Sequence, residues 1–331
     1  MKKILVTGHK GYIGVELVRI LKDRGFYVAG VDSDFFRGCE WHEPAKPDEE
    51  MLLDIRDLTV DHLKGFDTVI HLAALSNDPM GAVDPDMTYS INLRGSIRLA
   101  ENAKEAGAER FLFAGSCSVY GQGESLDLDE SARLNPLTAY AESKIDAEKA
   151  ILALAGDNFS PASLRNATAY GSSAMLRLDL VVNNLLACAY TRGDIRIMSD
   201  GTPWRPLIHC RDIARAFAAF HEAPREAIHG MAVNIGANDE NYQVKDVAGK
   251  VKELIPGAEI VFTGEAGHDP RNYRVNFDLL NRILPEFRLE YTLEAGMEQL
   301  YEDFGRYGMT LEDFEGPRFI RLKMLQSAVF V

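Results

Sequence analysis

Two hydrophobic patterns alternate along the first half of the chain. Short apolar runs, "KILVTG", "YVAGVD", "DTVIHLAA" and "RFLFAGS", read as buried parallel strands. Between them lie stretches with helical periodicity. In "YIGVELVRILKDRG", Ile13, Leu17, Ile20 and Leu21 recur at helical spacing and the stretch stops at Gly25. "YSINLRGSIRLAENAKEAG" predicts a helix ending at Gly107, and "TAYAESKIDAEKAILALAG" a long helix ending at Gly156. "SPASLRNATAYG" carries one more strand. This alternation predicts an α/β fold, a doubly wound parallel sheet with right-handed crossovers, over residues 1–170. Beyond about residue 170 the pattern loosens. "RLDLVVNNLLACAYTRG" reads as helical, and "IRIMSDGTPWRPLIHCRDIARAFAAFHEA" as strand, turn, strand, helix. "AVNIGA", "QVKDVAGKVKELIP" and "EIVFTG" continue the mixed style. Residues 171–331 are expected to form a smaller mixed α/β lobe, with some segments returning to the sheet. The tail, "MTLEDFEGPRFIRLKMLQSAVFV", is either a docking helix or a partner contact.

Composition narrows the function classes. A formal net charge of −14 argues against non-specific nucleic-acid or anionic-membrane binding. The four cysteines, Cys39, Cys117, Cys188 and Cys210, are scattered without metal-ligand spacing. They read as reduced thiols, and no metal is expected. No stretch approaches the ~20 apolar residues of a membrane span, and the basic start "MKKILVTG" runs straight into a glycine loop rather than a signal-peptide core. A cytoplasmic location is the expectation.

That loop, "VTGHKGYIG", spaces Gly8, Gly11 and Gly14 three apart, after a strand and into a helix. Missing side chains let the backbone approach a pyrophosphate at a helix N-terminus. The spacing is GxxGxxG, so a tight turn is the bland alternative. Asp32 sharpens the dinucleotide reading. It ends the next strand, 18 residues after Gly14, where a carboxylate accepts from ribose hydroxyls and repels a 2′-phosphate, favouring NAD over NADP.

"AYAESK" places Tyr140 and Lys144 four apart on one helix face. A fixed ammonium stabilises a phenolate, and a phenolate beside a nicotinamide can take a hydroxyl proton as hydride leaves the same carbon. "GSCSVYG", before that helix, supplies small hydroxyls for the same oxygen.

The glycine loop, Asp32, "HLAA", "GSCSVYG" and Tyr140-x-x-x-Lys144 occur in an order that resembles the extended short-chain dehydrogenase/reductases, in the NAD-dependent sugar-nucleotide epimerase/dehydratase family. The resemblance covers roughly residues 3–300. It implies a Rossmann-type NAD-binding domain, a nucleotide diphosphate sugar substrate and a homodimer built through a four-helix bundle. The helices matching that bundle span roughly 88–106 and 138–155, where Leu99, Ile145 and Ile151 either face a partner or pack on the sheet. The resemblance puts Gly8, Gly11, Gly14, Tyr12 and Ile13 at the pyrophosphate, Asp32 at the adenosine ribose, and Asp54 and Ile55 beside the adenine. Leu72, Ala73, Ala74 and Asn92 join the cofactor contacts. Ser116 would bond the reacting hydroxyl, Tyr140 would be the acid/base, and Lys144 would bond the nicotinamide ribose. Asn184, Arg205 and Arg271 would contact the substrate diphosphate, which suits guanidinium forks.

The chain also departs from the pattern. Thr168, counted among the substrate contacts, replaces an asparagine of the 4-epimerases. Cys117 and Ser118 stand where the 4,6-dehydratases carry Asp-Glu, which disfavours that elimination. Cys117 is either a base for C3/C5 inversion beside a transient 4-keto group or a small buried thiol. GDP-mannose 3,5-epimerase uses a cysteine in this neighbourhood, aligned one position later. His71 and His209 read as structural, and Trp204 either stacks on a ring or packs. The leading expectation is an epimerase acting through a 4-keto sugar. A nucleotide-sugar 4-dehydrogenase or 4-ketoreductase is the alternative, and a non-catalytic nucleotide sensor the reading from another class. The sequence names neither base nor sugar.

Overall fold

The computed structural model describes residues 2–76, 83–123, 127–264 and 271–329. The strands are β1 (Lys3–Thr7), β2 (Tyr27–Asp32), β3 (Glu49–Leu52), β4 (Thr68–His71), β5 (Arg110–Ser116) and β6 (Ser160–Asn166), then β7 (Thr168–Tyr170), β8 (Asp194–Ile197), β9 (Trp204–His209), β10 (Met231–Ile235), β11 (Asn241–Gln243) and β12 (Glu259–Phe262). The longer helices are α1 (Gly14–Asp23), α2 (Ser96–Glu105), α3 (Ala139–Leu152), α4 (Val181–Arg192), α5 (Cys210–Glu222), α6 (Val244–Leu254), α7 (Leu293–Tyr307) and α8 (Arg321–Val329).

Seven strands form one parallel sheet in the order β10-β6-β5-β4-β1-β2-β3. Side chains alternate across it. Ile4 and Val6 face a core built with Leu17 of α1 and Phe217 of α5, while Leu5 faces Leu99 of α2 and Ile151 of α3. Both faces are covered, which is why these strands read as continuous apolar runs. The chain order reverses at β1, so the crevice beyond the carboxyl ends of β1 and β4 is where such a sheet binds ligands. A second sheet, β11-β9-β7, and a β12-β8 pair belong to the later part of the chain.

Several elements depart from the sequence expectation for physical reasons. β3 escaped notice because it is an edge strand of "EEML", largely exposed and without an apolar run. "SPASLRNATAYG" is two strands: β6 stays between β5 and β10, and after Ala167 β7 leaves to pair with β9. The expected helix over 89–107 opens as a π-helix, Tyr89–Gly95, before α2 begins. "RLDL" is not helical, and α4 starts only at Val181. Leu99, Ile145 and Ile151 are buried within the subunit core, so none is available to a second copy; the exposed side chains of α3 include Glu142, Asp146 and Lys149. The tail docks: Phe319 is buried beside Trp41, and the Arg321 guanidinium donates to the Met175 carbonyl at 3.1 Å. Its last two residues, 330 and 331, lie outside the described ones. Among the described residues no helix is long and apolar enough to cross a membrane.

Candidate active site

The glycine loop joins β1 to α1. Gly8 adopts a positive φ of 74° and its N–H donates to the Val31 carbonyl at 2.8 Å. A Cβ on Gly8 would sit 2.6 Å from the Ala73 backbone nitrogen, and one on Gly14 would fall on the Gly8 carbonyl oxygen. The Gly11 N–H donates to that same oxygen at 3.0 Å. Ile13 is the N-cap of α1 and provides no side-chain cap; of the first-turn amides, Val15 N–H donates to the Gly11 carbonyl at 3.1 Å. The Cβ positions of all three glycines are closed by the loop's own or neighbouring backbone, so the loop folds tightly at the start of a helix and at the switch point of the sheet, a placement that fits the pyrophosphate of a dinucleotide. The Tyr12 side chain does not join that cradle. Its hydroxyl donates to the Gly171 carbonyl at 2.6 Å and the residue is 5% exposed, so only its backbone is available there.

Asp32 ends β2. Its carboxylate accepts from the Lys10 N–H at 3.1 Å and the Asp34 N–H at 2.9 Å, which fixes it beside the loop. Asp54 behaves differently: it caps a short 3-10 turn and forms a forked pair with Arg56 (2.9 and 2.8 Å), and Arg56 holds its carboxyl below the usual range. Ile55 beside it is buried. Leu72, Ala73 and Ala74 follow β4. Asn92, fully buried in the π-helix, grips the next residue by both its amide groups, accepting from Leu75 N–H at 2.9 Å and donating to Leu75 C=O at 3.0 Å. That contact accounts for the polar residue inside the π-helix.

Ser116 ends β5 and caps the 3-10 turn Cys117–Tyr120, its hydroxyl accepting from the Ser118 N–H at 3.2 Å. Thr138 caps α3, which carries Tyr140 in its first turn and buries Lys144 one turn later. The Lys144 ammonium donates to the Ala114 carbonyl at 2.9 Å and lies 4.7 Å from the Phe113 ring and 5.9 Å from the Tyr140 ring. Burial lowers its pKa to about 7.

A second positive charge on this side is Arg177, which burial opposes and Asp179 above all sustains, with a smaller electrostatic contribution from the Tyr140 phenol. Arg177 pairs with Asp179 in a fork (2.9 and 3.0 Å) and donates to Ser76 Oγ at 2.8 Å. Sequence reasoning missed this pair. Its signal was a charged doublet, Arg-x-Asp, embedded among leucines and valines, where charges are buried only when paired.

Of the two readings of Cys117, the structure matches the small buried thiol. It is 1% exposed, belongs to the apolar core, and its thiol donates to the Arg165 carbonyl at 3.1 Å. Burial pushes the thiol well up, away from the thiolate that base chemistry needs. His71 has both ring nitrogens engaged, with Thr7 Oγ1 at 2.7 Å and Ser96 Oγ at 2.8 Å, and burial lowers it to about 3. His209 caps α5, stacks on Tyr291 and is likewise lowered to about 3 by burial.

On the other side of the crevice, Thr168 sits in β7 opposite Leu207, and the Asn184 amide donates to Leu178 C=O at 2.9 Å. Asn183, not Asn184, is the buried junction, bonded to Gly171, the Tyr12 hydroxyl and the Arg177 carbonyl. Arg205 is 8% exposed; it donates to the carbonyls of Trp204 and Arg271 and lies over the Tyr273 ring. Arg205 thereby braces the Arg271 segment. Arg274, not singled out from "HDPRNYR", lies over the Trp204 ring at 4.7 Å with its Nε buried and unpartnered. Ser118 Oγ and Asn166 Oδ1, at the ends of β5 and β6, are also buried without protein partners. Groups of this kind are ordinarily satisfied by water or a bound molecule. Among the described residues no three His, Cys, Asp or Glu side chains cluster as a metal site requires.

Comparisons agree with this geometry. The sequence profile of the NAD dependent epimerase/dehydratase family matches residues 4–236. UDP-glucose 4-epimerase of Mus musculus is 28% identical, over 93% of this chain and 96% of its own. UDP-glucuronic acid decarboxylase 2 of Arabidopsis thaliana is 26% identical, over 91% of this chain and 68% of its own. The solved structure of MoeE5 in complex with UDP-glucuronic acid and NAD superposes with a TM-score of 0.80 at 29% identity, over 92% of this chain and 99% of that one. With its parallel sheet, its tight glycine loop and a profile match across more than two thirds of its length, the chain belongs to the NAD-dependent epimerase/dehydratase family of enzymes.

Proposed function

We propose that this enzyme is a redox-neutral UDP-sugar 4-epimerase. The UDP-sugar class comes from the relatives, which include a UDP-glucose 4-epimerase and a structure holding UDP-glucuronic acid. Gly8, Gly11 and Gly14 hold the pyrophosphate of NAD, and Asp32 the adenosine ribose. When bound, NAD supplies a reversible hydride acceptor for the sugar carbon. Ser116 and Tyr140 hold the C4 hydroxyl, and Tyr140 takes its proton as the carbonyl forms. Lys144 and Arg177 favour the phenolate that does so. Tyr140 returns the proton to the oxygen after the sugar presents its other face. Arg274, with its unpartnered Nε, joins Arg271 at the diphosphate.

The burial of Cys117 carries the choice of C4 over C3 or C5. Inversion at C3 or C5 needs a base for a carbon-bound proton beside the ketone. The Cys117 thiol is buried and turned to the Arg165 carbonyl, and Ser118 is no carboxylate.

Product analysis by mass tests this, with NAD and UDP-glucose or UDP-glucuronic acid in heavy water. The expected product is an isomer carrying no carbon-bound deuterium, with no accumulation of NADH. Carbon-bound deuterium would move the inversion to C3 or C5, and stoichiometric NADH would make the enzyme a dehydrogenase.

A further inference from the structure

Beside Asp32 the structure holds a cation in check. Lys10 precedes Gly11 in the glycine loop, and its backbone N–H is the one bonded to Asp32. Its ammonium lies 2.6 Å from Glu50 Oε1 and 3.1 Å from Asp34 Oδ2. Glu50 comes from β3, where it stands opposite Gly30 of β2. The buried His9 ring packs against Gly30, and its Nε2 lies 3.2 Å from the same Glu50 oxygen. Asp34 is the one non-glycine residue with a positive φ, 57°, among the described residues. That conformation is costly for a residue with a side chain. Here it lets one residue give its N–H to Asp32 and its carboxylate to Lys10. Partial burial lowers the Lys10 pKa, but the bonds to Glu50 and Asp34 outweigh it and raise the ammonium; Lys10 in turn holds the Glu50 carboxyl low.

We propose that Glu50 and Asp34 form an NAD-selecting lock, withholding the Lys10 ammonium from the 2′ position of the adenosine ribose. The inference rests on the assignment of that ribose to Asp32. Asp32 repels a 2′-phosphate, but a free ammonium on the residue whose N–H holds Asp32 would attract it through charge-assisted bonds. With the lock closed, a 2′-phosphate meets three carboxylates and an ammonium already paired to two of them. A ribose hydroxyl meets no such penalty. The edge strand β3, which has little apolar content of its own, thereby contributes to cofactor choice.

Calorimetric titration of the full chain with NAD and with NADP, after removal of copurified nucleotide, tests the lock. The variants are Asp34→Asn/Glu50→Gln and the same pair with Lys10→Met. Asparagine suits the left-handed backbone of position 34. The double variant should bind NADP at least roughly tenfold tighter than the wild type, with NAD changed by less than about threefold. Adding Lys10→Met should remove most of that gain. An unchanged NADP affinity in the double variant overturns the lock. So does a gain that survives Lys10→Met, because it would come from lost negative charge alone. Asp32→Ala binding NAD as the wild type does would instead overturn the ribose assignment beneath it.

Discussion

The Lys144 ammonium is bonded to the carbonyl oxygen of Ala114 at 2.9 Å. That bond ties the first turns of α3, which carry Tyr140, to the end of β5, which carries Ser116. Two residues distant in sequence thus share one anchor, and the anchor is a group whose charge burial opposes.

Lys144→Met should therefore separate activity from stability. Without the ammonium, kcat should fall by roughly 10²–10⁴. Stability should move the other way near neutral pH. The folded pKa of Lys144 is about 7, against an ordinary value of 10.5, so between these the unfolded chain binds more protons. Lys144 thus contributes a stability that rises with pH above about 7 and is lowest below it. The buried thiols act oppositely only above their own ordinary range near 9. Denaturant unfolding of the cofactor-free protein between pH 7 and 9 should show a rising slope in the wild type. The slope should be shallower in Lys144→Met, and equal slopes would contradict the burial argument.

Cys117→Ala should leave turnover within about threefold of the wild type while costing about 1–2 kcal/mol of stability for the lost buried sulfur. Steady-state kinetics and urea unfolding on one preparation measure both. A hundredfold loss of kcat with full stability would restore the thiol to the chemistry.

Gly8 and Gly25 share a left-handed backbone, with φ of 74° and 79°, yet differ in surroundings. A Cβ at Gly25 meets nothing within 4 Å, whereas at Gly8 it meets the Ala73 backbone. Gly25→Ala should cost only the conformational penalty of about 1–2 kcal/mol and keep NAD affinity. Gly8→Ala should cost more and weaken NAD binding by roughly 100-fold or beyond, read by calorimetry. Equal NAD affinity in the two variants would remove Gly8 from the cofactor cradle.

The strands and helices of the main sheet were legible because burial on both faces leaves apolar runs such as Val28–Val31 and Phe111–Phe113, and because Gly25, Gly107 and Gly156 punctuate the helices. β3 was not, since an edge strand needs no apolar alternation, and the π-helix was not, since it shares the apolar periodicity of the α-helix that follows it. The same distinction runs through the site. Motif residues advertise themselves by spacing along one element, as Tyr140 and Lys144 do. Cys117 looked chemical only because linear position cannot show that its thiol turns to Arg165. Arg177, Asp179 and Arg274 gain their meaning from partners or from the lack of one across the fold, which no local pattern records.

Arg177 yields the most specific kinetic expectation. Burial opposes the guanidinium's charge, Asp179 above all sustains it, and the Tyr12 and Tyr140 phenols add smaller contributions, so by reciprocity the Arg177 charge favours the Tyr140 phenolate. Arg177→Gln alone would take the forked partner from the half-buried Asp179 and leave its charge to disturb the segment, which would obscure any kinetic reading. Arg177→Gln/Asp179→Asn removes both charges and keeps polar groups in place. Removing the cation at constant fold should make the tyrosine harder to ionise. The acidic limb of the kcat–pH profile should therefore move to higher pH, with activity lost at neutral pH and partly recovered as pH rises. An intact thermal transition in the double variant establishes the fold. If its profile keeps the wild-type midpoint while kcat falls uniformly, Arg177 positions the segment after β7 without tuning Tyr140, and the charge argument fails.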